Sequence, residues 1–204
     1  MSVNIISLVQ IAIAAVFINN FVLSRFLGLC PFFGVSKKLS SAIGMGMAVV
    51  FVMTVASMIT WIIFNYLLVP LDVGYLRTIV FILVIASLVQ LVEMALQKFS
   101  PVLYESLGIY LPLITTNCAI MGVAVLNAGI NDFTGQPYTF IESLVSGITS
   151  GIGFTLALVL MAGIREKLEL ANIPKPLQGL PIAFVTAGLM AIAFLGFSGL
   201  NFFK

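Results

Sequence analysis

Long apolar stretches alternate with short polar segments along the chain. Each apolar stretch reaches the length of roughly 20 residues that a helix needs to cross a bilayer. Short segments that carry charge or proline separate them, such as Ser36-Lys37-Lys38 and Lys98-Phe99-Ser100-Pro101. The apolar stretches cover residues 4–24 with an extension to 35, 41–68, 76–96, 104–126, 140–164 and 180–203. The pattern predicts an all-α integral membrane protein with six transmembrane helices.

Composition agrees with a protein that folds in a bilayer. Of its 204 residues, 61% are hydrophobic and 8% are charged, and the mean hydropathy is +1.22. Soluble domains carry about 25% charged residues, so a water-soluble domain is excluded. The net charge of +2 has no basic stripe, which argues against nucleic acid as a partner. The chain has no histidine, which excludes histidine-ligated haem and most zinc enzyme sites.

Positive charge is distributed unevenly between the loops. With six spans, Arg77 and Lys204 fall on one side of the membrane, and the other seven basic residues fall on the opposite side. The side richer in lysine and arginine normally faces the cytoplasm. Both termini are therefore predicted to lie on the outer side.

The two halves of the chain resemble each other. Cys30 and Cys118 each begin the pattern Cys-x-x-x-Gly-Val within an apolar stretch, 88 residues apart. Three spans per half is an odd number, so the second half would enter the membrane from the opposite side. This predicts two inverted three-helix repeats, residues 1–98 and 99–204. The alternative is chance similarity between two sequences that both consist mostly of a few apolar residue types.

The two cysteine-bearing stretches are not expected to form straight helices. Residues 4–35 would make about 48 Å of helix at 1.5 Å per residue, against a hydrocarbon core of about 30 Å. Gly28 and Pro31 flank Cys30, and Asn117 is a good N-cap directly before Cys118. The first and fourth helices are therefore predicted to break beside the cysteines, which places each thiol near a helix N-terminus that favours negative charge.

The residues alone leave the role of the cysteines open. Thiolates are soft ligands for iron, copper(I) and zinc. A [2Fe–2S] cluster usually takes four thiolates, so a partner would have to supply the other two. Free cysteines also pack as small hydrophobes. Thiol redox chemistry is a third alternative, although the usual Cys-x-x-Cys spacing does not occur.

Several longer motifs are similar to one known family. They are NNFVL at 19–23, FLGLCPF at 26–32, GVSKKL at 34–39, YLRT at 75–78, LGIYLPLITTNCA at 107–119, IRE at 164–166, TAGLM at 186–190 and GFSG at 196–199. Over essentially its whole length the chain resembles the A-type subunit of Rnf electron-transport complexes. The E-type subunit of the Na⁺-translocating NADH:quinone reductase is a close relative and the alternative within the family.

The resemblance implies a function that composition does not show. Rnf complexes move electrons between reduced ferredoxin and NAD and couple this to Na⁺ or H⁺ translocation in the inner membrane of bacteria or the cell membrane of archaea. The chain would be one subunit of the enzyme, not catalytic alone. Its partners would be a homologous, oppositely oriented E-type subunit, the other Rnf subunits and lipid.

The resemblance also implies which residues matter. Cys30 and Cys118 would be two ligands of a [2Fe–2S] cluster shared with the E-type subunit. Asn20, Gly28 and Asn117 would be candidates to surround it. Glu93 is a further candidate that rests on the residues alone, because an ionisable group within a span can belong to an ion path. It lies near the cytoplasmic interface, where a charge is tolerated more easily.

Two other classes of function remain as rivals. A small inverted-repeat secondary transporter would bind a solute at the midplane, and its cysteines would be dispensable. A membrane thiol oxidoreductase would instead pair Cys30 reversibly with Cys118. The chain has no G-x-G-x-x-G turn on a soluble domain, so any chemistry on NAD would belong to partner subunits.

Overall fold

Helices make up nearly all of the regular structure in the computed structural model, which describes residues 5–99, 111–130, 135–171 and 174–198. Apart from one isolated antiparallel bridge, no strand occurs in these ranges. The α-helices are α1 (Ile5–Ile13), α2 (Leu29–Val35), α3 (Leu39–Ile63), α4 (Arg77–Phe99), α5 (Leu111–Thr115), α6 (Cys118–Asn127), α7 (Phe140–Glu169) and α8 (Leu180–Ser198). Wider π-helical turns extend α1 through Ala14–Ile18 and α3 through Phe64–Leu68.

Four helices in the described ranges are long and apolar enough to cross a membrane. They are Leu39–Leu68, Gly74–Met94, Phe140–Glu169 and Leu180–Phe197. These helices confirm four of the apolar stretches predicted from the sequence. The other two stretches hold the shorter apolar helices Ile5–Ile18 and Leu113–Asn127.

The six-span inverted arrangement stays a prediction. Residues 104–110, with which the fourth predicted span begins, lie outside the described ranges. The same holds for residues 1–4 and 199–204, so the predicted location of both termini on the outer side is not tested. The predicted division between residues 98 and 99 also stays a prediction.

Large apolar side chains are exposed along the outer surface of the long helices. Met47, Leu83, Leu189 and Ile192 each expose about 65% of their surface, although they lie in the middle of long helices. Such a continuous apolar surface is expected where side chains contact lipid instead of water. The distribution of exposed residues therefore supports a membrane protein independently of helix length.

Close packing of α3 against α7 forms the centre of the molecule. A Cβ atom on Gly147 would lie 2.7 Å from Ser57 Oγ, and one on Gly151 would lie 2.7 Å from Val50 Cα. Real Cβ atoms do not approach other atoms so closely, so glycine is needed at both positions. Gly147 and Gly151 are one helical turn apart, and together they let the two helix backbones touch.

The first and fourth apolar stretches, each interrupted by non-helical residues before its cysteine-bearing helix, are called the interrupted stretches. Each of them packs against long helices from the other half of the chain. The α1 helix and its π-helical extension lie against α7, and the extension also contacts α8. In the other direction, α6 lies against α3 and α4, and α5 contacts α4. Each interrupted stretch is therefore held by two long helices from the other half of the chain.

Candidate functional site

Asn20 organises the interruption between α1 and α2. Its Oδ1 atom accepts hydrogen bonds from the N–H groups of Val22 and Leu23, at 3.0 and 3.3 Å. Its Nδ2 atom donates to the carbonyl oxygens of Val16 at 3.1 Å and Gly153 at 2.8 Å. Asn20 is fully buried. All four contacts go to backbone groups, so Asn20 braces the non-helical segment against α7.

Gly28 is one of the residues at which the two cysteine-bearing segments meet. It adopts a left-handed conformation, with φ at +79°, directly before α2. A Cβ atom here would lie 2.6 Å from Phe154 Cε2 and 3.0 Å from Asn117 Oδ1. The Gly28 N–H donates to Cys118 Sγ at a distance of 2.8 Å. Both the conformation and the close contacts require glycine.

Asn117 begins α6 as an N-cap. Its Oδ1 atom accepts a hydrogen bond from the Ala119 N–H at 3.0 Å, which satisfies one of the free donors at the helix start. The side chain is 4% exposed. Its Nδ2 group, a donor beside Cys118, has no partner among the residues that the structure describes. A buried donor without a partner is costly, so this amide is suited to an acceptor that comes from outside the described chain.

Cys30 and Cys118 lie at neighbouring helix starts. Cys30 is the second residue of α2, and Cys118 is the first residue of α6. Because consecutive Cα atoms are about 3.8 Å apart, the Cα atom of Cys30 lies within about 7.6 Å of that of Gly28. Both cysteines are free thiols and both are exposed. The structure therefore brings the exposed Cys30 and Cys118 together beside the buried Gly28 and Asn117.

This donor set is incomplete for a metal centre held by one chain. In the described ranges no group of three or more His, Cys, Asp or Glu side chains is close enough to hold an ion. Two exposed thiols supply half of the four thiolates that an iron–sulfur cluster usually takes. The arrangement fits a centre that a second protein completes.

Glu93 belongs to α4, outside the two segments that carry the cysteines. It is half-buried near the end of α4, five residues before the exposed Lys98. The part that it plays in ion movement stays a prediction.

Sequence reasoning assigned no structural role to two further groups of polar residues. Arg165 of α7 donates from Nη1 to the Phe33 carbonyl oxygen at 2.9 Å and to Ser36 Oγ at 3.0 Å. Glu142 is 5% exposed and forms a capping box with Thr139, whose N–H and hydroxyl both donate to Glu142 Oε2 at 2.9 Å. The Thr-x-x-Glu spacing is a local signal for such a box. No local sequence pattern predicts the contacts of Arg165.

Comparison with protein families identifies the chain. The model of a family described as "Rnf-Nqr subunit, membrane protein" matches residues 8–201. The chain belongs to the Rnf-Nqr family. The resemblance recognised from the cysteine-bearing motifs is therefore confirmed over nearly the whole chain.

Curated Rnf-Nqr relatives are similar along nearly their entire length. The A-type subunit of the "Na(+)-translocating ferredoxin:NAD(+) oxidoreductase complex" of Acetobacterium woodii is 60% identical over 195 residues, covering 96% of this chain and 98% of the relative. The A-type subunit of the "Ion-translocating oxidoreductase complex" of Syntrophotalea carbinolica is 59% identical over 194 residues, covering 95% and 97%. Its namesake from Cronobacter sakazakii is 58% identical over 188 residues, covering 92% and 94%.

These names agree with the role expected for this Rnf-Nqr chain. Each relative is named as one subunit of an oxidoreductase complex that translocates ions. All three carry the A-type designation, which favours the Rnf A-type subunit over the E-type subunit of the quinone reductase.

Proposed function

We propose that this chain is the A-type membrane subunit of an ion-translocating ferredoxin:NAD oxidoreductase. In that complex it would carry electrons through a [2Fe–2S] cluster shared with a homologous, oppositely oriented E-type subunit. The observation that carries the proposal is the 2.8 Å contact between the Gly28 N–H and Cys118 Sγ. It joins the two cysteine-bearing segments, which are far apart in sequence, at one exposed position.

The residues around the thiols fit an anionic centre. Cys30 and Cys118 would hold the cluster, which supplies one-electron redox chemistry when bound. The Gly28 N–H already donates to one sulfur, and the unpartnered Asn117 amide lies next to the same residue. Donors beside the sulfurs and the N-termini of α2 and α6 stabilise negative charge. This chain's residues would therefore orient the two thiols and stabilise the negative charge of a bound cluster.

Apolar side chains pack on the protein side of the site. Phe32 and Phe154 are fully buried, and Phe154 lies directly against Gly28. The site has buried aromatic side chains on one side and exposed thiols on the other. The sulfurs would therefore be accessible to a protein partner in the membrane. We infer that the partner's two thiolates complete the set from the exposed side.

The reciprocal packing of the interrupted stretches supports the inverted repeat. The first stretch contacts α7 and α8, and the second contacts α3 and α4. Exchanging the two halves of the chain leaves this set of contacts unchanged, with α3 and α7 as the central pair. Any pseudo-two-fold axis between the halves has this property, and the odd number of predicted spans per half would place that axis in the membrane plane. It would place the two cysteines at matching depth within the bilayer.

Iron chemistry on the complex tests the proposal. The chain is coexpressed with the homologous membrane subunit, and the purified complex is examined by low-temperature EPR with iron and sulfide assays. The wild type is expected to show a [2Fe–2S] signal that both Cys30→Ala and Cys118→Ala abolish. Met121→Leu is the matched control, because it removes a sulfur from the same helix as Cys118 without removing a thiolate. An iron-free wild-type complex that still assembles and turns over would refute the cluster.

A further inference from the structure

Arg165 joins α7 to the end of the helix that carries Cys30. Its guanidinium donates to the Phe33 carbonyl oxygen, at 2.9 Å, and to the hydroxyl of Ser36, at 3.0 Å. Phe33 lies in the last turn of α2, and Ser36 is its C-cap and is fully buried. The last carbonyl groups of a helix lack intrahelical partners and carry partial negative charge. The Arg165 guanidinium supplies a hydrogen-bond donor to one of these carbonyl groups and a positive charge beside their partial negative charge.

The other end of α2 is also set by α7. Gly28, directly before α2, packs against Phe154 so closely that a Cβ atom would lie 2.6 Å from its ring. Phe154 and Arg165 are eleven residues apart, which is about 16 Å along a helix. Residues 28–36 span about 12 Å by the same measure. The two helices therefore run in the same direction, and α7 contacts α2 at its start and at its end.

The neighbouring residue makes a complementary contact. Glu166 Oε1 accepts a hydrogen bond from the N–H of Leu39, the first residue of α3, at 2.9 Å. A positive charge thus meets the C-terminus of α2, and a negative charge meets the N-terminus of α3. Both charges match the helix dipoles. They hold the turn between α2 and α3 against α7 from either side.

The atoms packed around Arg165 do not by themselves fix the conformation of its side chain. The side chain is half-buried and borders a cavity of about 310 Å³ between α7 and α8, lined also by Leu168, Gln178 and Ile182. Space is available for other rotamers of the arginine. The two hydrogen bonds to α2 therefore hold the arginine in the observed rotamer.

We propose that Arg165 is a positioning residue for the Cys30 thiol. It acts through the backbone of α2, because Cys30 is in the first turn and Phe33 is in the last turn of a helix of seven residues. A helix this short is marginal by itself, so its two ends decide its rotation and depth. The effect on a cluster rests on the proposed function. The effect on the exposure of Cys30 does not.

Two measurements distinguish the effect of Arg165 on the exposure of Cys30 from its effect on a cluster. In metal-free protein, the rate of maleimide alkylation of Cys30 is measured with Cys118→Ala as background, and that of Cys118 with Cys30→Ala as background. Arg165→Gln is expected to change the Cys30 rate several-fold and to leave the Cys118 rate unchanged. Arg165→Lys is expected to restore part of the difference. Lys167→Gln, which removes the same charge from an exposed neighbour on α7, is expected to match the wild type.

The second measurement uses the assembled complex with its partner subunit. Arg165→Gln is expected to shift the EPR g values and the midpoint potential, and to lower turnover roughly 10-fold to 100-fold, as changes around metal ligands commonly do. Equal changes at Cys30 and Cys118, or an unchanged Cys30 rate, would overturn the positioning role. A wild-type complex without a cluster, combined with the expected alkylation pattern, would refute the proposed function and leave the role of Arg165 standing.

Discussion

The backbone N–H of Gly28 donates to the sulfur of Cys118 across 90 residues of sequence, at a distance of 2.8 Å. This contact links the non-helical segment before α2 to the first residue of α6. It also places Cys30, two residues after Gly28, beside the start of the other cysteine-bearing helix. The proposed cluster site depends on this geometry.

Gly28→Ala is expected to destabilise the protein by about 2 to 4 kcal/mol, combining the left-handed backbone with a close contact. At Gly28 φ is +79°, and the added Cβ atom would lie 2.6 Å from Phe154. Thermal unfolding of the detergent-purified chain measures the change. The control is Gly163→Ala in α7, where no described atom lies within 4 Å of the new Cβ atom. This control is expected to be neutral or to stabilise by up to about 1 kcal/mol. Equal melting temperatures for Gly28→Ala and wild type would contradict the prediction.

Asn117 is predicted to serve α6 and the cluster with different atoms. Asn117→Ser keeps a capping oxygen and removes the amide donor, whereas Asn117→Ala removes both. The serine variant is expected to retain nearly wild-type stability, and the alanine variant to lose about 1 kcal/mol. Both are expected to lower the midpoint potential of the cluster, because the amide donor of the residue next to Cys118 is lost. If the serine variant had the wild-type potential, the amide would have no role beyond the cap.

Gly151→Ala is expected to weaken the packing of α3 against α7. The new Cβ atom would lie 2.7 Å from Val50 Cα, and a backbone atom cannot rotate away, so a loss of about 1 to 3 kcal/mol is expected. Unfolding in a denaturant series provides the measurement. Gly188→Ala in α8 is the matched control, since no described atom lies within 4 Å of its Cβ position. A loss of equal size in both variants would indicate that the helix contact is not the cause.

Thr139→Ala is expected to cost about 1 kcal/mol by removing the cap of α7. Glu142→Gln is expected to cost less, because glutamine can replace glutamate in a capping box. The two thermal midpoints are compared in the same detergent. A larger loss for Glu142→Gln than for Thr139→Ala would show that the buried carboxylate does more than complete the cap.

Sidedness is predicted from the loop charges and can be tested at Lys37. Lys37 is exposed between α2 and α3 and is predicted to face the cytoplasm. A Lys37→Cys variant without the two native cysteines is expected to react with an impermeant maleimide in inverted vesicles and to be protected in intact cells. Labelling in intact cells would reverse the assigned orientation.

Much of the architecture could be predicted because it depends on local properties. The bilayer dictates the length and apolarity of a span, so the hydropathy pattern predicted the four long helices. Asn117 was identified as an N-cap from its own residue type. The first and fourth apolar stretches contain shorter helices, and residues 104–110 of the fourth lie outside the described ranges.

The sequence by itself determined the membrane class, the positions of the long helices, the family and the two cysteines, because hydrophobicity, residue spacing and motif identity are readable along the chain. Only the tertiary structure decided that Gly28 contacts Cys118, that Phe154 packs on Gly28 and that Arg165 binds the end of α2. Those contacts join residues separated by 90 to more than 120 positions. They depend on how α7 crosses α3 and on how each interrupted stretch packs against the long helices of the other half of the chain. No local sequence pattern encodes either arrangement.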